Sequence, residues 1–155
     1  MKINWKKLIV SVAIPLGVGA LAALLTMGSM ERFGELEQPP LYPPGWLFPV
    51  VWTILYTLMG IASYLVLTSG KPGRSKTAFA VYAVQLFFNF LWSIIFFNFE
   101  AYLFAFFWLI ALWLLVLLNL ILYYRIRRPA GYLFIPYLLW VSFAGYLNLG
   151  IYLFN

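Results

Sequence analysis

The chain has 155 residues, 65% of them hydrophobic, 21% aromatic and only 9% charged, with a formal net charge of +6. A soluble domain averages about 25% charged residues, so no soluble core of this length could hide so much apolar surface. The composition excludes a water-surrounded fold and calls for a bilayer as solvent.

The first apolar segment runs from Leu8 to Met27 behind Lys2, Lys6 and Lys7. Lysines, an apolar run and "ALA" at 20–22 resemble a secretory signal, but the run is long for its core, so a retained helix is expected. Residues 28–44 follow as a predicted loop containing "ERFGELE" and the start of "PPLYPPGWLFPVVWTILY". Pro39, Pro40, Pro43 and Pro44 cannot continue a helix and fix φ near −65°, which stiffens the return to the membrane. The second segment, Gly45 to Thr68, carries Pro49 in its first turn, where a missing N–H costs little. Deeper in, Trp52 and Tyr56 are spaced i, i+4, with Ser63 within two turns.

The third segment, Ala78 to Phe99, places Gln85, Asn89 and Trp92 on one face at i, i+4 and i+7. The fourth, Ala101 to Tyr124, has a lone amide, Asn119, near one end. The fifth, Gly131 to Phe154, carries Trp140, Ala144 and Asn148 as a four-residue stripe. Each segment has 20 to 24 residues and no Asp, Glu, Lys or Arg, enough to cross about 30 Å of hydrocarbon as a helix. Barrel strands would alternate over about ten residues, and these runs do not. The expected fold is all-α: one domain over 1–155, a bundle of five transmembrane helices.

Orientation follows from the basic residues. A cytoplasmic N-terminus puts Lys2, Lys6, Lys7, Lys71, Arg74, Lys76, Arg125, Arg127 and Arg128 inside, leaving only Arg32 outside with all four glutamates. This positive-inside bias predicts a C-terminus on the outer side. The basic residues are juxtamembrane triplets, which points to anionic headgroups and gives no nucleic-acid footprint.

The chain contains no His, no Cys and no Asp, and its four acids fall in loops or at a helix end. Nucleophile–histidine pairs, zinc sites and buried carboxylate pairs lack their parts, so no metal and no cofactor is expected. A proton relay would also need an intramembrane acid or base. What remains is a cavity built from aromatics, amides and backbone.

Trp5, Trp46, Tyr123, Tyr124 and Tyr152, near predicted helix ends, read as an interfacial belt. Trp52, Trp92 and Trp140 lie too deep for that. They form either a shared pocket or aromatic packing inside the bundle. Asn89 and Asn148 read either as glue between helices or as ligand-facing groups.

"PPLYPPGWLFPVVWTILY", "QLFFNFLWSIIFF" and "PYLLWVSFAGYLNL" resemble, in order and spacing, the three signature segments of the TspO/MBR family, the translocator protein family. The resemblance implies a five-helix bundle, often dimeric, of a bacterial inner membrane. It implies binding of porphyrins such as protoporphyrin IX and other hydrophobic ligands under the first loop, with light-dependent porphyrin breakdown in some members. On this chain the family's ligand-binding positions are Pro43, Pro44, Trp52, Tyr56, Asn89, Trp92, Trp140, Ala144 and Asn148, with Phe104 and Trp108 on the fourth helix. For such breakdown the ligand is expected to act as its own photosensitiser, with Trp52 or Trp140 as the nearby oxidisable group, a role that needs no acid–base machinery. The alternative is a passive transporter of porphyrins or sterol-like molecules. The chain departs from the family's first-loop Trp-Tyr pair, since "ERFGELE" offers only Phe33, and it has Leu41 ahead of the proline pair. It also has Ala80 and Val84 where a close-packing glycine pair occurs, and no basic residue after Tyr152 to complete a sterol motif.

Overall fold

A computed structural model describes residues 2–155. Its elements are α1 (Trp5–Thr26), a 3-10 turn (Met27–Ser29), α2 (Met30–Phe33), α3 (Leu47–Leu67), α4 (Pro72–Ser93), a π-turn (Ile94–Asn98), α5 (Tyr102–Ile126), α6 (Arg128–Tyr132) and α7 (Ile135–Phe154). No strand occurs among the described residues. Five helical stretches are long and apolar enough to cross a membrane: Trp5–Phe33, Leu47–Leu67, Pro72–Asn98, Tyr102–Ile126 and Arg128–Phe154.

Local chemistry sets most of the ends. The Asn4 side chain accepts from the Lys7 N–H at 3.2 Å and caps α1. Pro72 opens α4 and Pro136 opens α7, where no backbone donor is lost. One expectation needs correction at the first loop. Residues 28–33 are helical, because Ser29 donates to Asn98 Oδ1 at 2.5 Å and Asn98 donates to the Leu25 carbonyl at 3.0 Å. The irregular lid is therefore 34–46.

The spans close as a ring in which α1 packs on α3, α3 on α6, α6 and α7 on α5, α5 on α4, and α4 on α1. Gly60 lets α3 approach the backbone of α1, since a Cβ there would stand 2.7 Å from the Ser11 carbonyl oxygen. That carbonyl is the one Pro15 cannot serve, having no N–H. Met59, Ala62, Val66, Val116, Phe134 and Tyr137 are fully buried at the centre. Ile9, Leu24, Phe107, Leu139 and Leu153 cover the outside and are exposed. So extensive an apolar exterior suits contact with lipid tails. Ala80 and Val84 lie on the outer face of α4, both exposed.

Tyr123 is not in the interfacial belt. It is fully buried, pairs with Ser63 through their hydroxyls at 2.8 Å, and packs its ring against Phe134. The α6 turn folds back across this end of α5, so nearness to a helix terminus does not bring exposure here.

Candidate ligand-binding site

Between α1, α3, α4 and α7, under the lid, lies a cavity of about 730 Å³. Each wall has its own chemistry. From α3 come Phe48, Trp52 and Tyr56; from α4, Trp92; and from α7, Trp140, Ala144 and Asn148. The α1 wall is Gly19, Ala20, Ala22 and Ala23, small residues that leave the room. Phe96 and Phe97, on the π-turn, complete the α4 side. A single wide turn inside a helix is common at functional sites because it re-aims the side chains around it.

The aromatic rings are locked against one another. Trp52 stacks on Tyr56 with centroids 5.4 Å apart and meets Tyr137 edge-on at 6.2 Å. Trp92 stacks on Phe96 at 5.1 Å, and Phe48 meets Trp140 edge-on at 5.9 Å. Such arrangements are favoured by the ring quadrupoles and leave flat faces for a ligand. The roof is Phe33 and Tyr42, centroids 6.1 Å apart, with Phe33 edge-on to Phe97 at 5.1 Å. Tyr42 lies outside the spans, and burial raises its phenol above the usual range.

Hydrogen bonds fix the amides. Trp92 Nε1 donates to Asn148 Oδ1 at 3.0 Å, and Asn148 Nδ2 donates to the Tyr102 carbonyl at 2.8 Å. Below the cavity, Tyr56 donates to Asn89 Oδ1 at 3.0 Å and Asn89 Nδ2 to the Tyr137 hydroxyl at 2.7 Å. Tyr137 then donates to Gln85 Oε1 at 2.7 Å, and Gln85 Nε2 faces the Met59 sulfur at 3.8 Å. Asn89 is thus the middle of a polar ladder under the floor. The indole N–H of Trp140 is buried without a partner in the protein.

Of the positions named from the sequence, Trp52, Tyr56, Trp92, Trp140, Ala144 and Asn148 line the cavity. Asn89 sits beneath it through Tyr56. Pro43 and Pro44 follow Tyr42 in the lid and do not line the cavity. Phe104 and Trp108 lie elsewhere: Phe104 is exposed, and Trp108 stacks on Phe88 at 4.3 Å and donates to its carbonyl. Residues that sequence reasoning missed include Tyr42, Phe48, Tyr137 and the small residues of α1. The Gly19, Ala22, Ala23 and Thr26 spacing on one face was the available signal for the last of these.

No charged side chain lines the cavity. Arg32, the one cation at this end, pairs with Glu100 at 2.7 Å, both well exposed. No group of three or more His, Cys, Asp or Glu able to hold a metal ion occurs among the described residues.

The lid's return is fastened to α7. Tyr146 donates to the Pro40 carbonyl at 2.6 Å. Asn155 Nδ2 donates to the Glu37 carbonyl at 2.8 Å, and the Glu37 N–H donates back to Asn155 Oδ1 at 3.0 Å. Pro39 is buried against Gly150, where a Cβ would stand 2.5 Å from the proline ring. Leu41 takes φ of 67° between these anchors and Tyr42.

Five apolar spans closed around a lidded, uncharged aromatic cavity define an integral multi-pass membrane protein. The TspO/MBR family profile matches residues 11–153, and the chain belongs to that family. It is 40% identical over 124 residues to the tryptophan-rich protein TspO of Chlorobaculum tepidum, covering 79% of this chain and 78% of that one. It is 37% identical over 153 residues to the protein of the same name in Archaeoglobus fulgidus, covering 98% and 99%. The translocator protein of Bos taurus is 34% identical over 134 residues, covering 84% and 79%.

Proposed function

We propose that the chain binds porphyrins, protoporphyrin IX among them, and other flat hydrophobic molecules in the cavity under the lid. The observation that carries this reading is the convergence of Trp52, Trp92 and Trp140 on one uncharged space of about 730 Å³. Small-molecule sites commonly enclose about 300–1,000 Å³ with apolar walls and a few placed polar groups. Indole faces give a planar macrocycle large stacking area, and the Trp140 indole N–H, buried without a protein partner, would serve a ligand acceptor once its ring turns toward the cavity.

Light-dependent breakdown belongs to the same reading. The excited porphyrin is its own sensitiser, dioxygen is the oxidant, and the Trp52 or Trp140 indole is the nearby oxidisable group. Passive transport is less well supported. The cavity ends at the Tyr56–Asn89–Tyr137–Gln85 ladder, and the groove at the opposite end of the bundle shares no lining residue with it. A homodimer through the exposed outer face of α4, at Ala80 and Val84, is compatible with a binding role.

The test is saturable quenching of tryptophan fluorescence by protoporphyrin IX in the dark, followed by porphyrin loss under light. Absence of saturable quenching rejects the pocket. Full photochemical loss in the Trp52→Phe/Trp140→Phe double variant rejects the indole role while leaving binding intact.

A further inference from the structure

A second groove of about 610 Å³ opens at the other end of the bundle, between α1, α3 and α4. Its rim carries Lys6 and Lys7, both exposed. Below them the walls are mainly apolar, with Phe79 and Leu86 of α4 facing Val10 and Ile14 of α1. At the level of Ser63 the groove turns polar. The Ser63 hydroxyl is already paired with Tyr123 at 2.8 Å. Tyr82 is less well served: its ring lines the groove, the residue is only 7% exposed, and its hydroxyl, although near Ser63, makes no hydrogen bond of good geometry. A buried hydroxyl left unpaired in an apolar setting is costly, and natural structures seldom keep one without a use.

We infer that this groove binds one anionic glycerophospholipid from the adjoining leaflet. The lipid phosphate sits between Lys6 and Lys7, an ester carbonyl accepts from the Tyr82 hydroxyl, and an acyl chain lies along Phe79 and Leu86. Three features select this occupant over others. Paired ammonium groups at the rim select an anion. The groove opens sideways where helices meet lipid, so an amphiphile enters without crossing water. Asn4 N–H donates to the Tyr64 hydroxyl and Gly60 packs on Ser11 and Val12, so Ser63 lies between these levels of α1, deeper than the lysine rim, as an ester carbonyl lies deeper than its phosphate. The Tyr82 hydroxyl is covered by its neighbours, so the pairing requires the ring to swing toward the groove. This inference is independent of the porphyrin reading, because no residue lines both spaces.

Native mass spectrometry of the purified protein with dioleoyl phosphatidylglycerol and, separately, dioleoyl phosphatidylcholine tests it. One phosphatidylglycerol is retained, preferred over phosphatidylcholine by about fivefold or more. Retention falls about fivefold in Tyr82→Phe, which removes only the unpaired hydroxyl. It falls further in Lys6→Gln/Lys7→Gln, and also in Ala83→Phe, which narrows the groove without touching either polar group. Arg125→Gln, equally basic but outside the groove, leaves it unchanged. Unfolding midpoints within the wild-type range establish that the variants are folded. Equal retention of both lipids overturns the assignment, as does wild-type retention in Tyr82→Phe or a loss in Arg125→Gln matching the lysine variant.

Discussion

The carboxamide of Asn155 satisfies both backbone groups of Glu37, donating to its carbonyl at 2.8 Å and accepting from its N–H at 3.0 Å. One side chain on α7 thus does for the lid what a neighbouring strand does in a sheet. Replacing it with alanine removes both bonds, each contributing about 1 kcal/mol. Amide exchange at Glu37 and its neighbours is expected to accelerate by about tenfold or more in Asn155→Ala, with the spans unchanged. Exchange at wild-type rates would show that the lid is held by other contacts.

Gly150 and Gly145 share a helix but not a consequence. A side chain at 150 meets the Pro39 ring, whereas one at 145 finds only Leu109 Cδ2, at 3.8 Å. Gly150→Val should therefore open the lid to protease and weaken porphyrin binding by about tenfold, a loss of roughly 1.4 kcal/mol. Gly145→Ala should leave both close to wild type. Side-by-side limited proteolysis and fluorescence titration separates the two.

Asn89 joins two tyrosines on two helices. Asn89→Leu strips Tyr56 and Tyr137 of a partner each, at a cost of about 1–3 kcal/mol given the usual strength of interhelical bonds in membranes. Tyr56→Phe loses one bond and should cost about half as much. Unfolding in mixed micelles at increasing denaturant reads both. An Asn89→Leu variant no weaker than Tyr56→Phe would mean that the Asn89–Tyr137 bond contributes nothing.

Trp92 on α4 lines the cavity, and Trp108 on α5 does not. Trp92→Phe loses the bond to Asn148 and a cavity wall, so porphyrin affinity should drop by about fivefold to tenfold. Trp108→Phe removes a ring stacked on Phe88 away from the cavity and should change affinity by less than about twofold. Fluorescence titration of each variant decides.

The Tyr42 phenol is pushed above its usual value by burial under the lid. A raised value means that the closed lid favours the neutral phenol, so this contribution is complete below about pH 10, where the freed residue begins to ionise. It declines as pH rises above that point. Lid opening monitored by a probe on residue 35 should grow above pH 10 in the wild type and lose that dependence in Tyr42→Phe.

The spans were legible because a bilayer demands uninterrupted apolar length, and charge at the ends marks where each one stops. Facing was harder to read. In lipid, the inside and outside of a helix are both apolar, so α5 offers no periodicity to show that Phe104 and Trp108 point away from the cavity. Gln85 and Asn89 stood out as amides in an apolar run, but Tyr137, which joins them, looked like any other of the eleven tyrosines. Residues 28–33 read as loop because they are polar and charged. Their helicity comes from Asn98 and Glu100, far away in sequence, which no local pattern reveals.

The ties between the lid and α7 also have a bearing on biosynthesis. Pro40 and Tyr146 are separated by 106 positions, and Glu37 and Asn155 by 118. While the chain is being made, the first four spans precede the α7 anchors of the lid, and Trp140 is not yet present. The cavity under the lid is complete only when the final span is threaded in, so a ribosome stalled before it leaves a bundle that lacks the α7 wall.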